Sequence, residues 1–534
     1  MMRYPTRLGA LHRWIALLAV LSLVLAACAA EDAEDTTTTA PPDATETTEP
    51  PEPTDTTEPE ADGAEVRFLI AENFWADWSP YASTAQSQRR LEQHIYDYLV
   101  HFPTGDLSEP EPMLATDWRI IDDLTWEFDL REGVVFHDGT PLTAEDVEAS
   151  IETGTDPDLS AYALTWIPAQ VEVVDDLTVR ISTEQPFAPM LIELSRIPIL
   201  TADFIADPQP VPNGTGPFRV VDDQVEVKIM EANLEYWRDP PQIHTLIWEF
   251  IADPATRTSA LLDGSAHAID RVPPEQLPAL EGKEGIELVS VTGVESVNLW
   301  VRPGRFPIWD ENPNYRQAVN WSIDREPLVE SLVLGNSRVA GSLLPTNTLF
   351  YQEQETLYSF DAERAAEELD AAGVPDGGPE FELWVAEGFL PRGPEVVQAI
   401  VAQMEQVGLK PVVVTSDVAG MIDDIFSDTG TGAMYHLSWS SNGDPNAAAT
   451  VYSEAFAWYF GDTELQALID EGMTTLDPVE REQVYAELQQ HMWSQAWHVP
   501  LYNSDFTIAH TSSLQGMVAL PDFATNFYTA RLEG

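Results

Sequence analysis

The chain has 534 residues, with 26 Lys or Arg against 90 Asp or Glu, a formal net charge of −64. That length suffices for two or three domains with full cores. Acid spread along the whole chain excludes nucleic acid and anionic membrane surfaces as partners of the folded part, and Cys28, the one cysteine, excludes any intrachain disulfide.

In chain order, Arg3, Arg7 and Arg13 form a basic start, and Trp14 to Ala27 is an apolar run of 14 residues, too short to span a bilayer. Together with Leu25-Ala26-Ala27-Cys28, residues 1–27 resemble a bacterial lipoprotein signal. That resemblance implies cleavage before Cys28 and diacylation of its thiol. Residues 28–63 are rich in Thr, Pro and Glu and carry no aliphatic side chain larger than alanine. They bury too little surface to offset the entropy of ordering, so a disordered spacer is expected.

Glu65 to Ala71 reads as a strand, followed by a loop in which Trp75 and Trp78 are candidates to stack on a ligand, with plain packing as the alternative. Gln86 to Val100 places Leu91, Ile95 and Leu99 at helical spacing. Residues 118–125 and 171–178 share an apolar-apolar-Asp-Asp-Leu-Thr pattern and read as hairpins turning at paired aspartates. Between them, Trp126, Phe128 and Leu130 alternate with acids as a strand, and Val134 and Phe136 resume a short one. Thr143 to Asp146 then reads as a capping box that opens a helix carrying Val147 and Ile151. In Asn213-Gly214-Thr215-Gly216-Pro217-Phe218 no Lys-Ser/Thr follows the glycines, so a phosphate loop is excluded and the glycines shape the chain.

The segment Leu124–Ile151 closely resembles the signature of the peptide/nickel-type (family 5) solute-binding proteins of ABC importers. Further blocks resemble that family in the same order: Asn213–Phe218, Asn233–Trp237, Ile247–Asp270, and above all Tyr315-Arg316-Gln317-Ala318-Val319-Asn320-Trp321-Ser322-Ile323-Asp324-Arg325. Beyond these, helices are expected over 254–262, 361–372 and 394–407, and one opening at Asp477-Pro478. Gly373 and Gly408 read as helix stops, and 381–385 and 411–415 as strands.

The resemblance covers roughly residues 65–530. It implies an α/β, two-lobed periplasmic-binding-protein-like clamshell of type II with an extra subdomain in the first lobe. The expected division is 64–104, 212–302 and 504–534 as lobe I, 105–211 as the extra subdomain and 303–503 as lobe II. The implied function is capture of a small solute outside the membrane and its delivery to an ABC permease and ATPase by a monomer tethered through Cys28. A secreted hydrolase or surface adhesin reusing the fold is the alternative. No HExxH or GxSxG motif supports an enzyme, His491 and His498 read as seven residues apart on one helix, too far to share a metal, and no cofactor or metal is expected.

For the ligand, the segment His436 to Pro445 aligns with a family block whose first aspartate holds the α-ammonium of a bound peptide. A buried ammonium needs a full opposite charge, and this chain has Asn442 there, an oxygen without charge. The expected ligand is therefore polar and either uncharged or carboxylated, such as an oligosaccharide or a peptide without a free amine. Asp444 reads as a turn aspartate before Pro445, with substitution for the missing aspartate through a shifted loop as the alternative. Arg392 is a candidate for a ligand carboxylate, and Trp439 and Tyr502 are candidates to wall the cleft, with Trp300 and His436 behind them.

Overall fold

The computed structural model describes residues 63–72, 78–81, 86–103, 105–160, 167–206, 211–333, 337–354 and 358–533. Trp75 and Cys28, with residues 1–62, lie outside them.

The structure is organised by two long strands, Ile286–Val301 (16 residues) and Val499–Thr511 (13 residues), paired antiparallel. At about 3.3 Å per residue the longer one spans roughly 50 Å, enough to run from one lobe into the other. Their register holds from Ile286↔Thr511 to Thr292↔Asp505, breaks, and resumes at Glu295↔Ser504. Gly293 sits in the break, where a Cβ would stand 2.8 Å from the Ser504 carbonyl oxygen; only glycine fits that approach.

On this ribbon an eleven-stranded sheet extends both ways. On the lobe I side follow Ala268–Ile269, Ala64–Ile70, Ile243–Phe250, Val227–Ala232 and Phe218–Asp223, and on the lobe II side Met434–Ser440, Phe381–Ala386 and Pro411–Ser416. Ser337–Val339 pairs beside the ribbon. Ala64–Ile70 lies between parallel neighbours, which is why its second half reads as a continuous apolar run. Phe68 meets Trp248 and Phe527 edge-on at 5.0 and 5.2 Å in the lobe I core. A separate four-stranded antiparallel sheet, Ala115–Asp122, Thr125–Leu130, Thr178–Thr183 and Ala169–Asp175, carries the helix Ala144–Thr155 on one face as a satellite of lobe I.

Local chemistry accounts for these elements. Both hairpins turn at their aspartate pairs: Asp122 accepts from the Leu124 amide at 2.9 Å and Asp175 from the Leu177 amide at 3.0 Å. These acids are turn formers. Asp146 accepts from the Thr143 amide at 2.9 Å, completing the capping box. Gly373 and Gly408, at φ 78° and 93°, end the helices Ala362–Ala371 and Gly393–Gln406. In the Tyr315–Arg325 block both arginines are buried and hold carbonyls. Arg316 donates to Trp309 and Gln495, and Arg325 to Asn320, Ile323, Tyr358 and, at 2.6 Å, Pro500. The block thus clamps the start of the return strand.

Three local expectations are corrected. Val134 and Phe136 are buried but form no strand; only an isolated Val135–Pro141 bridge exists, because turns on either side leave no length to pair. The helix from Gln86 stops at Ile95, whose carbonyl accepts from the Gly216 amide at 2.8 Å. That contact needs glycine, since a Cβ at position 216 would stand 2.5 Å from Ile95 backbone carbon. The helix Pro478–Gln495 ends at Ala496, at φ 51°, so His498 is not on it.

Candidate ligand cleft

A cavity of about 140 Å³ opens where the lobes meet. Lobe I supplies Arg89 and Gln93 from the helix Gln86–Ile95, His101 and Phe102 from the segment after it, Arg196 from the extra subdomain, and Asp522 and Asn526 from the carboxyl-terminal segment. Lobe II and the ribbon supply Val294, Asn347, Ser441 and Asn442.

Arg89 and Gln93, one turn apart, share the helix face toward the cavity, while Arg90, Leu91, His94 and Ile95 are buried behind it. Two buried contacts set the helix. Arg90 donates to Asp270 at 2.7 Å, and Asp270 also accepts from the Ala71 amide at 2.7 Å. His94 Nδ1 faces the Arg90 carbonyl oxygen at 2.9 Å while Nε2 accepts from the Phe527 amide at 3.1 Å, which fixes a neutral Nδ1–H tautomer. Burial lowers its pKa to about 4, in keeping with that tautomer. Arg89 lies 3.7 Å from Asp522, the one carboxylate lining the cavity. Arg238 donates to His101 Nε2 at 3.3 Å; desolvation first, and then that guanidinium, lower the pKa of His101 to about 4, so it too is neutral at pH 7. Deeper in lobe I, Asp97 accepts from Thr215, Tyr236 and Trp237, and burial raises its pKa; the Asn233–Trp237 block thus serves a structural carboxylate.

The lobe II wall is a short loop held from behind. Asp444, fully buried, caps the helix Pro445–Thr450 by accepting from the Asn446 amide at 2.7 Å and pairs with Arg481 at 2.9 Å. Arg481 also donates to the Gly472 carbonyl at 2.9 Å. Asn442 bridges two directions: its Oδ1 accepts from the Asp444 amide at 2.9 Å, and its Nδ2 donates to Glu193 Oε1, on the extra subdomain, at 2.6 Å. The Ala188 amide donates across to the Met473 carbonyl at 2.8 Å, so the lobes touch at several points around the cavity.

Of the residues singled out in the sequence, Asn442 reaches this cavity. Arg392 is exposed, with φ 52°, and donates to the carbonyls of Ser331 and Leu332 at 3.4 and 3.2 Å, capping the helix Arg325–Ser331. Tyr502 is buried in the lobe II core opposite Val297 and Val339. Trp78 is buried in lobe I and donates to Asp223 at 2.7 Å. Trp439 is half-buried, edge-on to Phe456 at 6.2 Å. Trp300 is buried in a ring of Tyr452, Trp458 and His498, and His436 is buried in the sheet with neither ring nitrogen hydrogen-bonded among the described residues. Arg89 and Arg196, the arginines of the cavity, lie outside every motif of the sequence. Among 26 basic residues no local motif marks these two, and only the fold brings them together. Among the described residues no three His, Cys, Asp or Glu side chains gather as a metal site, and no helix is long and apolar enough to cross a membrane.

A family model described as bacterial extracellular solute-binding proteins, family 5 (middle region), matches residues 109–458. The glutathione-binding protein GsiB of Escherichia coli (strain K12) is 27% identical over 495 residues, covering 88% of this chain and 94% of that one. Among solved structures, HbpA2 from Haemophilus parasuis superposes with a TM-score of 0.78 at 25% identity, covering 88% of this chain and all of that one. DppA from Helicobacter pylori, in complex with the peptide STSA, does so with a TM-score of 0.73 at 23% identity, covering 88% of this chain and 98% of that one.

Proposed function

We propose, for a chain that belongs to the family 5 bacterial extracellular solute-binding proteins and captures a solute for an ABC importer, that the ligand is a small peptide-like molecule held by its carboxylate. One observation carries this: in a chain with 26 basic and 90 acidic residues, Arg89 and Arg196 line one cavity that holds a single carboxylate, Asp522. A guanidinium matches a carboxylate by two parallel hydrogen bonds, and a partly enclosed site strengthens both. Gln93, Asn442 and Asn526 supply uncharged donors and acceptors for amide groups. Relatives named for glutathione and solved with a four-residue peptide support a peptide-like ligand. The lobes close by rotation about the two-strand ribbon.

Native mass spectrometry of the protein as purified identifies what it carries, and calorimetry then compares that compound with its carboxyl methyl ester. The ester is expected to bind at least tenfold more weakly. A co-purifying solute without a carboxylate, or an ester that binds as tightly as the acid, overturns the assignment. The tether is proposed on the sequence alone: Cys28 carries the lipid, residues 28–63 space the domain from the membrane, and the protein works as a monomer. Cys28→Ser is expected to move it from the membrane to the soluble fraction; retention in the membrane fraction argues against the anchor.

A further inference from the structure

We infer that the cavity selects a ligand with an apolar group on the carbon beside its carboxylate. This rests on the carboxylated-ligand reading above and adds to it what that carboxylate is attached to. The cavity has two unlike ends. Arg89, Gln93 and Asp522 make the polar one, and Phe102, Leu107, Met113, Leu520 and Pro521 make the other. The apolar end is a corner closed from more than one side. Gly105, at φ 75°, donates its amide to the Phe102 carbonyl at 3.1 Å. A Cβ at position 105 would stand 2.5 Å from Pro521 Cδ, so this turn packs directly on the carboxyl-terminal segment. Leu107 Cδ1 occupies the place that a Cβ on Gly443 would take, which sets lobe II against the same corner. Phe102, Leu107, Leu520 and Pro521 are half-buried, so side-chain surface is left for a ligand to cover. The two ends meet at one peptide unit: Pro521 belongs to the corner, and its neighbour Asp522 lies 3.7 Å from Arg89. Neighbouring Cα atoms are about 3.8 Å apart. A carboxylate held by Arg89 therefore brings the carbon that bears it to the corner. An acid with an apolar α-substituent, such as a peptide or acylated amino acid ending in an apolar residue, fills both ends at once. Covering the corner with a leucine-sized group is worth roughly tenfold to a hundredfold in affinity. A hydrogen in its place leaves the corner uncovered, and a polar group would be desolvated there without a partner.

The test uses full-length protein stripped of bound solute at neutral pH. The probes in calorimetry are N-acetyl-alanyl-leucine, N-acetyl-alanyl-glycine and the methyl ester of the first. The wild type is expected to bind the leucine probe at least tenfold more tightly than the glycine probe. The double variant Phe102→Ser with Leu520→Ser is expected to cut that ratio to threefold or less, its melting temperature showing that the fold is kept. Leu159→Ser changes a side chain that is 61% exposed and outside the cavity, and is expected to leave the ratio as in the wild type. A wild-type ratio below threefold overturns the inference whether or not the double variant folds, and so does a ratio that survives in a folded double variant. The ester separates the two readings. If it binds as tightly as its acid, the carboxylate reading fails, and a leucine preference abolished in the double variant then upholds the corner alone. If the wild type binds none of the probes, the solute that co-purifies decides: an apolar group beside its carboxylate upholds the inference, and its absence overturns it.

Discussion

Replacing Arg481 by alanine is expected to lower the stability of the fold by about 3–5 kcal/mol, the range for removing one partner of a buried ion pair. The guanidinium and the Asp444 carboxylate are 6% and 0% exposed at 2.9 Å. Truncation strands the carboxylate in a site closed to bulk solvent. It also frees the Gly472 carbonyl, which accepts from Arg481 Nε at 2.9 Å. Asp444 caps a helix and positions Asn442, so ligand affinity is expected to fall with stability. Urea unfolding of the variant reads the loss directly. The double variant Arg481→Met with Asp444→Asn removes both charges and is expected to recover most of it, because the cost lies in the unpaired charge rather than in the missing contact. A single variant within 1 kcal/mol of wild type would mean that the loop is held by something other than this pair.

Arg89→Ala and Arg196→Ala are each expected to weaken binding of the carboxylated ligand by about 2–5 kcal/mol, roughly 30-fold or more, the scale for truncating a charged group that a desolvated partner depends on. For Arg89 a second effect adds: Asp522 stays on the cavity wall without the guanidinium 3.7 Å away and repels the ligand anion. Arg89→Lys keeps the charge but loses the planar fork and should fall between the two. Arg392→Ala provides the contrast, since that side chain is exposed and bonded to helix-end carbonyls, and affinity is expected to stay within threefold. Calorimetry with the co-purified solute decides. If both cavity variants bind within threefold of wild type, the carboxylate is not held there.

What could be read in the sequence, and what could not, divides along the range of the interactions. Caps, stops and turns depend on neighbours a few residues apart, so the Thr143–Asp146 box, the Asp477 cap with Pro478, and Gly373 and Gly408 could be read directly, and the structure has them. The helices Val418–Phe426 and Thr463–Thr474 also begin at aspartate caps, Asp417 and Asp462, a local signal of the same kind. The cavity is the opposite case. Arg89, Arg196, Asn442 and Asp522 come from four distant parts of the chain, and nothing local marks them as neighbours. Tryptophan and tyrosine misdirect for a related reason: a large ring suits a core as well as a cleft, and Trp78, Trp300 and Tyr502 are in cores. Arg392 sits in a loop before a helix as expected, but the partners it found are the nearest orphan carbonyls.

The path of the chain through the ribbon fixes an order of events in biogenesis. Lobe II is inserted between two portions of lobe I, and the strand Val499–Thr511 leads back to a carboxyl-terminal segment whose Leu514, Phe523 and Phe527 belong to the first core. During synthesis and export that segment arrives after every other wall of the cavity. Until it does, His94 lacks the Phe527 amide and Arg89 lacks Asp522. A nascent chain can build lobe II as a unit while lobe I waits, exposed and incomplete. The cavity wall is therefore complete only once the residues around Asp522 and Phe527 are in place.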